Sequence, residues 1–310
     1  MLDLNKRAML VKSRIELKGL LGERQDKDAR EQMATTYQSV EDQCKASKYL
    51  INQKVKSVRN VRTSAQSLRE CVYRYTFPWI GSDLNLLPVK VYDSFKKDYD
   101  QRLAKHQSAI EDYISDYPSL VAQARLPAPH GLGNLFDADQ YPSSDKISRL
   151  FHHSLEYMPL PDSGNFVADI AQDAAMEAKA SIERKIQEVV VHSFNNIVQR
   201  SERLVVLLVD KLSEYRPGQK QGCFRDSLID NITDLADLIR KLNYTDDIVI
   251  DQIAIQLDRL TRNTPEELRN SGLTRADIKS DGEALLAKLE SMRKADSEIG
   301  NMMESMRDYI

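Results

Sequence analysis

Residues 26–75, DKDAREQMATTYQSVEDQCKASKYLINQKVKSVRNVRTSAQSLRECVYRY, contain neither glycine nor proline. Small or apolar residues recur at Met33, Tyr37, Val40, Cys44, Ser47 and Ile51, then at Val58, Val61, Ala65, Leu68, Val72 and Tyr75. The steps alternate four and three, with Lys54 the one clear intruder. A sustained heptad of this kind predicts one long helix in coiled-coil packing, about 75 Å long at 1.5 Å per residue.

Working outward, Leu4, Ala8, Val11 and Ile15 share one helical face before this stretch. After it, TFPWIGSDLNLLP (76–88) reads as a turn. A third helix carries Tyr92, Phe95, Tyr99, Leu103, His106, Ile110 and Tyr113 or Ile114, and is expected to stop near Tyr117 because Pro118 disfavours helical geometry before it. Six of the ten prolines fall between Pro118 and Pro161, which reads as a connector. Its one short helix is expected over about 145–157, after a Ser143-Ser144 cap. A long helix from about Asn165 to Arg216 follows, and Leu228, Ile232, Leu235, Ile239 and Leu242 stripe the next. Another runs from Asp246 to about Arg262, Thr264-Pro265-Glu266-Glu267 is a strong helix start, and the last helix begins at Thr274. No segment alternates with period two between turns, so the expected class is all-α: long antiparallel heptad-patterned helices forming coiled-coil or helical-bundle subdomains. The expected domains are a long-helix coiled-coil bundle over 1–117, a proline-rich connector over 118–161 and a helical bundle over 162–310.

Composition narrows the function classes. Hydrophobic residues make up 41% and charged residues 29%, which suits a folded soluble chain with much exposed helix, and the net charge of −3 argues against a general polyanion binder. Cys44, Cys71 and Cys223 are odd in number and scattered, fitting neither a disulfide framework nor a zinc site. They read as two core thiols and one near a turn. The first residues lack a signal-peptide apolar run, and Leu204–Val209 is far too short to span a bilayer. The expected compartment is the cytoplasm, with no membrane association.

Searching for chemistry yields little. His152 and Glu156 are four apart on an expected helix, but no third ligand and no HExxH accompany them. His106 falls at a heptad core position and reads as a packed polar residue. Asp137 and Asp139 have no phosphate-binding loop beside them, and Gly131-Leu132-Gly133 is not a dinucleotide fingerprint. Neither GxSxG nor GK[ST] occurs. No catalytic residue, cofactor or metal is expected, and the chain does not read as an enzyme.

Charge is more informative. Residues 1–77 hold 16 basic and 9 acidic residues, whereas the rest hold 28 and 38. No acidic residue lies between Lys45 and Arg69, and Lys45, Lys48, Lys54, Lys56, Arg59 and Arg62 fall in that run. Asp226, Asp230, Asp234 and Asp237 form an acidic stripe, with Asp246, Asp247 and Asp251 beyond it. The basic stripe can track a nucleic-acid backbone or meet acidic protein, in this chain, a second copy or a partner; with Tyr49 alone available to stack a base, protein is favoured. Phe77 and Trp79 in the aromatic turn offer an interaction anchor, although such clusters more often plug the end of a bundle.

Leu87-Pro88, Tyr117-Pro118, Leu132-Gly133-Asn134-Leu135-Phe136, Tyr141-Pro142-Ser143, Met158-Pro159-Leu160-Pro161, Phe224-Arg225-Asp226, Asp230-Asn231 and Leu242-Asn243 form a set of short strings. Read together, they resemble a family of helical proteins from bacteriophages and integrative mobile elements. The resemblance covers roughly residues 60 to 290 and brings no functional residues with it. It implies a context: a bacterial host cell, and genes beside those for a MoxR-type AAA+ ATPase and a protein with a von Willebrand factor A domain. The function expected is a helical scaffold or adaptor working with such partners, with self-assembly open to it, and the alternative is an accessory protein of phage replication or recombination.

Overall fold

The structure, a computed structural model, describes residues 4–79, 81–161, 172–217 and 225–307, with side chains through residue 294. It is mostly helical, but it also holds strands, so the all-α expectation needs correction. The first strand, β1 (Ala8–Leu17), occupies the segment whose spacing predicts a helix. Ala8, Leu10 and Val11 are all buried, so the segment has no clean alternating face to read. What decides its conformation is pairing with a strand more than 70 residues away, which local periodicity does not report.

The 26–75 stretch is likewise not one helix. A two-strand ribbon of β2 (Glu23–Gln25) and β3 (Ser47–Tyr49) brackets α1 (Lys27–Tyr37), and α2 (Lys56–Tyr75) follows. Helix α1 ends at Gln38, whose φ of 48° places it in the left-handed region, a conformation usually given to glycine. Most of the heptad positions before Leu50 are surface: Met33, Tyr37 and Val40 are exposed. From Val58 onward the pattern is real, and Val58, Val61, Ala65, Leu68, Cys71 and Val72 are all buried.

Next come the hairpin strands β4 (Phe77–Pro78) and β5 (Asn85–Pro88), then α3 (Tyr92–Ala124), α4 (Ser144–Ser148) and β6 (Phe151–Met158). The sheet order is β4-β5-β1-β6, with Ala8 opposite Pro88 and Phe77 opposite Leu86. β6 replaces most of the helix expected over 145–157. It lies at the sheet edge, where half-burial leaves no clean alternation. The remaining helices are α5 (Gln172–Glu214), α6 (Asp226–Leu242), α7 (Ile248–Leu260), α8 (Pro265–Asn270) and α9 (Gly272–Arg307). These match the sequence reading closely, and the Thr264 capping box is present with Glu267. The start expected at Asn165, Cys223 and the side chains of Met302, Met303 and Met306 lie outside the described residues.

The chain forms two compact units drawn from interleaved stretches. One takes 1–11, 75–93 and 157–310, and the other 12–74 and 94–156. In the second unit, Leu50, Ile51, Val58 and Val61 pack with Ala109, Tyr113, Tyr117 and Leu120 of α3. Helix α3 runs straight past Pro118, which costs about 3 kcal/mol in a helix interior. Burial of Tyr117, Leu120 and Ala124 around it offsets that cost. The expected connector is therefore part of a core: Tyr117 donates to Pro142 O, Tyr141 donates to Leu50 O (both 2.8 Å), and Ile147 is fully buried. Gly131 folds back on the end of α3 so tightly that a Cβ would run into the carbonyls of Gln123 and Leu126.

In the first unit, α5 and α9 pack together, and Gly282 is the reason they can. A Cβ there would lie 2.7 Å from Val209 Cγ2 on α5. Valine is β-branched and cannot swing aside. Helix propensity alone makes Gly→Ala stabilising by about 1 kcal/mol. We predict the opposite sign here: Gly282→Ala destabilises the protein by about 1–3 kcal/mol through overpacking, measured by urea unfolding.

Candidate functional site

The sequence-derived basic stripe divides in the structure. Lys45, Lys54, Lys56, Arg59 and Arg62 are exposed. Lys48 is turned inward: its Nζ lies 2.9 Å from Asp26 Oδ2 and donates to Leu135 O at 2.6 Å, and the side chains of Lys48 and Asp26 are each only 8% exposed. Asp26 also caps α1 by accepting from Ala29 N at 3.0 Å. The Lys48 ammonium, helped by that capping amide, holds the Asp26 carboxyl below its ordinary range. Lys48 is thus a structural cation that ties the ribbon to the head of α1, and it leaves the candidate surface. Arg62 donates to Gln53 across the start of α2.

The acidic stripe divides as well. On α6 the apolar residues Leu228, Ile229, Ile232, Leu235, Ala236, Leu238, Ile239 and Leu242 are all buried, while Asp226, Asp230, Asp234 and Asp237 are exposed. Arg269 pairs with Asp226, and Arg240 pairs with Asp237 and Asp258, so the stripe is partly neutralised at its ends. Asp246, Asp247 and Asp251 belong to the fold instead. Asp246, at φ 53°, receives Lys90 Nζ at 2.9 Å as well as Arg7, and those cations depress its pKa. Asp247 caps α7 through Val249 N at 2.7 Å, and Asp251 accepts from the buried Asn243 side chain at 2.9 Å.

Phe77 and Trp79, candidate anchors in the sequence, are buried at 0% and 7% exposure. Phe77 packs on Tyr244, and Arg200 lies over its ring while donating to Thr76 O at 2.9 Å. Trp79 forms one wall of a cleft of about 380 Å³ with Ile182, Arg184, Lys185 and Glu188.

A polar groove of about 360 Å³ runs between α2 and α3, lined by Asn60, Thr63, Ser64, Ser67, Arg102, Lys105 and Asp112 among others. Arg102 donates to Ser67 Oγ at 2.6 Å, and Ser64 Oγ lies 2.8 Å from His106 Nδ1, so the two helices run antiparallel. The pairing of serine with histidine invites a nucleophile reading, but His106 is 1% exposed. Burial, with the positive charge of Arg69 and His153 nearby, pulls its pKa down to about 4. A base that weak accepts a serine proton poorly at neutral pH. Burial likewise pushes the Cys71 thiol up to about 12, leaving it unreactive. His152 and Glu156 are on β6 rather than a helix, where four residues span about 13 Å and cannot share an ion. Among the described residues no group of three or more His, Cys, Asp or Glu is placed to hold a metal, and no helix is long and apolar enough to cross a membrane. Comparison with protein-family models, curated proteins and solved structures found no match.

Two predictions follow from this geometry. Lys48→Ala leaves the Asp26 carboxylate with only its Ala29 amide and is expected to cost about 1–3 kcal/mol. Lys45→Gln and Arg59→Gln stay within about 0.5 kcal/mol in the same chemical melt. For His106 the folded state favours the neutral ring, so the unfolded chain takes up its proton first. Stability is flat above the ordinary histidine pKa of about 6.5 and falls as pH drops from there to about 4, by roughly 3 kcal/mol in all. His106→Gln should remove that part of the pH dependence in melts collected between these limits.

Proposed function

We propose that the protein is a non-catalytic helical adaptor whose charged helix faces dock other proteins. The observation that carries this reading is α6. Its apolar side is fully committed to the core, so its aspartate side is the surface it offers, and a face of mainly negative charge selects partners by charge complementarity more than by affinity. The partners that fit the family resemblance are a MoxR-type AAA+ ATPase and a von Willebrand factor A domain protein, in the cytoplasm of a bacterium carrying a phage or mobile element. A second copy of the chain is the other protein partner of this chemistry.

A second reading, an accessory protein that binds nucleic acid, is favoured by the exposed row Lys45, Lys54, Lys56 and Arg59 without an intervening acid. The inward turn of Lys48 thins that row, and this ranks it behind protein docking.

Two variants separate the readings: Asp226, Asp230, Asp234 and Asp237 all to Asn, and Lys45, Lys56, Arg59 and Arg62 all to Gln. Exposed pairs are worth about 0.2–1 kcal/mol each, so circular dichroism should show both variants folded. The Asp variant is expected to lose binding to the purified ATPase or von Willebrand factor A protein encoded alongside, in a pull-down with defined components. Retained binding in both variants overturns the adaptor reading through these faces. Duplex DNA binding by the parent protein, weakening with log salt by about 0.9 per contact and abolished in the Gln variant, establishes the nucleic-acid reading instead.

A further inference from the structure

The first unit holds a second concavity, of about 350 Å³, between α7 and the first half of α9. Gln256 and Arg259 come from α7, Arg262 from the turn after it, and Asp281, Ala284, Leu285 and Lys288 from successive turns of α9. The volume is at the small end of the range for ligand sites, about 300–1,000 Å³.

Charge pairing around the pocket leaves a definite surplus. Asp281, its one acid, is held 2.9 Å from Arg262 Nη1. The neighbouring carboxylates are engaged elsewhere: Asp258 with Arg240, Glu283 with Lys279, and Glu290 with Lys294. Arg259 and Lys288 meet no carboxylate among the described residues, and both border the cavity. With Arg262 and Asp281 included, the lining carries three cations against one anion. Like charges lining one concave surface repel one another less when an anion sits among them, and guanidinium donors match phosphate oxygens in geometry. The floor is apolar: Leu285 is 4% exposed, and Ala284 is too small to fill the space above it.

We propose that this pocket binds the phosphate of a small phosphorylated molecule between Arg259 and Lys288, with Gln256 as a neutral donor and the rest of the ligand over Ala284 and Leu285. Arg262 acts chiefly to hold Asp281 and keep its charge from the anion. The site shares no residue with the α6 acidic face and does not depend on the adaptor reading.

Calorimetric titration of the full chain with inorganic phosphate and with adenosine 5′-monophosphate tests this, with acetate as the control anion. Both phosphates are expected to bind with at most millimolar Kd, acetate much more weakly. Tighter binding of the nucleotide means that an organic body occupies the floor, and equal binding means that free phosphate is the ligand. Arg259→Gln with Lys288→Gln should weaken both by about tenfold or more. These are exposed side chains, so an unchanged circular dichroism spectrum is expected and excludes unfolding as the cause. Lys97→Gln with Lys146→Gln, exposed in the other unit, should leave both titrations unchanged. No phosphate binding by the parent, or binding that survives in the Arg259 and Lys288 variant, overturns the proposal. So does duplex DNA binding through these two residues without affinity for either small phosphate.

Discussion

A tight turn between two packed helices must satisfy the backbone groups left exposed where the next helix begins, with almost no water at hand. In the first unit that task falls on Asn243, which is 2% exposed. Its Nδ2 donates to Asp247 O and Asp251 Oδ1, and its Oδ1 accepts from Asp247 N, all at 2.9 Å. The neighbouring residues extend the tie. Tyr244 donates to Ser193 Oγ on α5 and packs on Phe77 of the hairpin, while Asp246 gathers Arg7 and Lys90. Segments from three distant parts of the sequence are thus fixed to one turn. Unmade bonds at such a site cost about 1–3 kcal/mol each, so the turn sets the geometry on which α6 and α7 depend.

That dependence reaches both proposed sites. The register of α6 decides which residues face water, and so makes its aspartates a face rather than a scatter. The position of α7 against α9 shapes the cationic pocket, and Gly282 sets how closely α9 lies against α5. Neither surface needs a special backbone conformation of its own. Each is a by-product of helices whose opposite sides are already committed to the core.

The helical half was legible in the sequence because its signals are local: stripes at 3.6-residue spacing and the Thr264 capping box. The strands were not, because β1 is decided by partners far away in the chain and β6 sits half-buried at an edge. The false heptad before Leu50 shows the limit of periodicity, since apolar spacing records which residues could share a face and not whether anything covers it. The same limit applied to charge. The α6 stripe was readable from its spacing, and Phe77 and Trp79 were readable as an aromatic cluster. That Lys48 points inward, that both aromatics are buried, and that Asp246, Asp247 and Asp251 serve the turn all depend on tertiary contacts. The cationic pocket joins residues of two helices that no motif links, so only the pairing of neighbouring charges in the fold brings it out.

The interleaving of the two units bears on how the chain is made. All of the second unit has been synthesised once residue 156 emerges, whereas the first unit needs segments separated by most of the molecule's length. Phe77, buried in the finished protein, must wait on the nascent chain until Arg200 and Tyr244 arrive to cover its ring. Domains that form on the ribosome usually do so in order from the N-terminus. Here residues 1–11 precede the whole of the second unit in the chain, yet they belong to the unit completed after it.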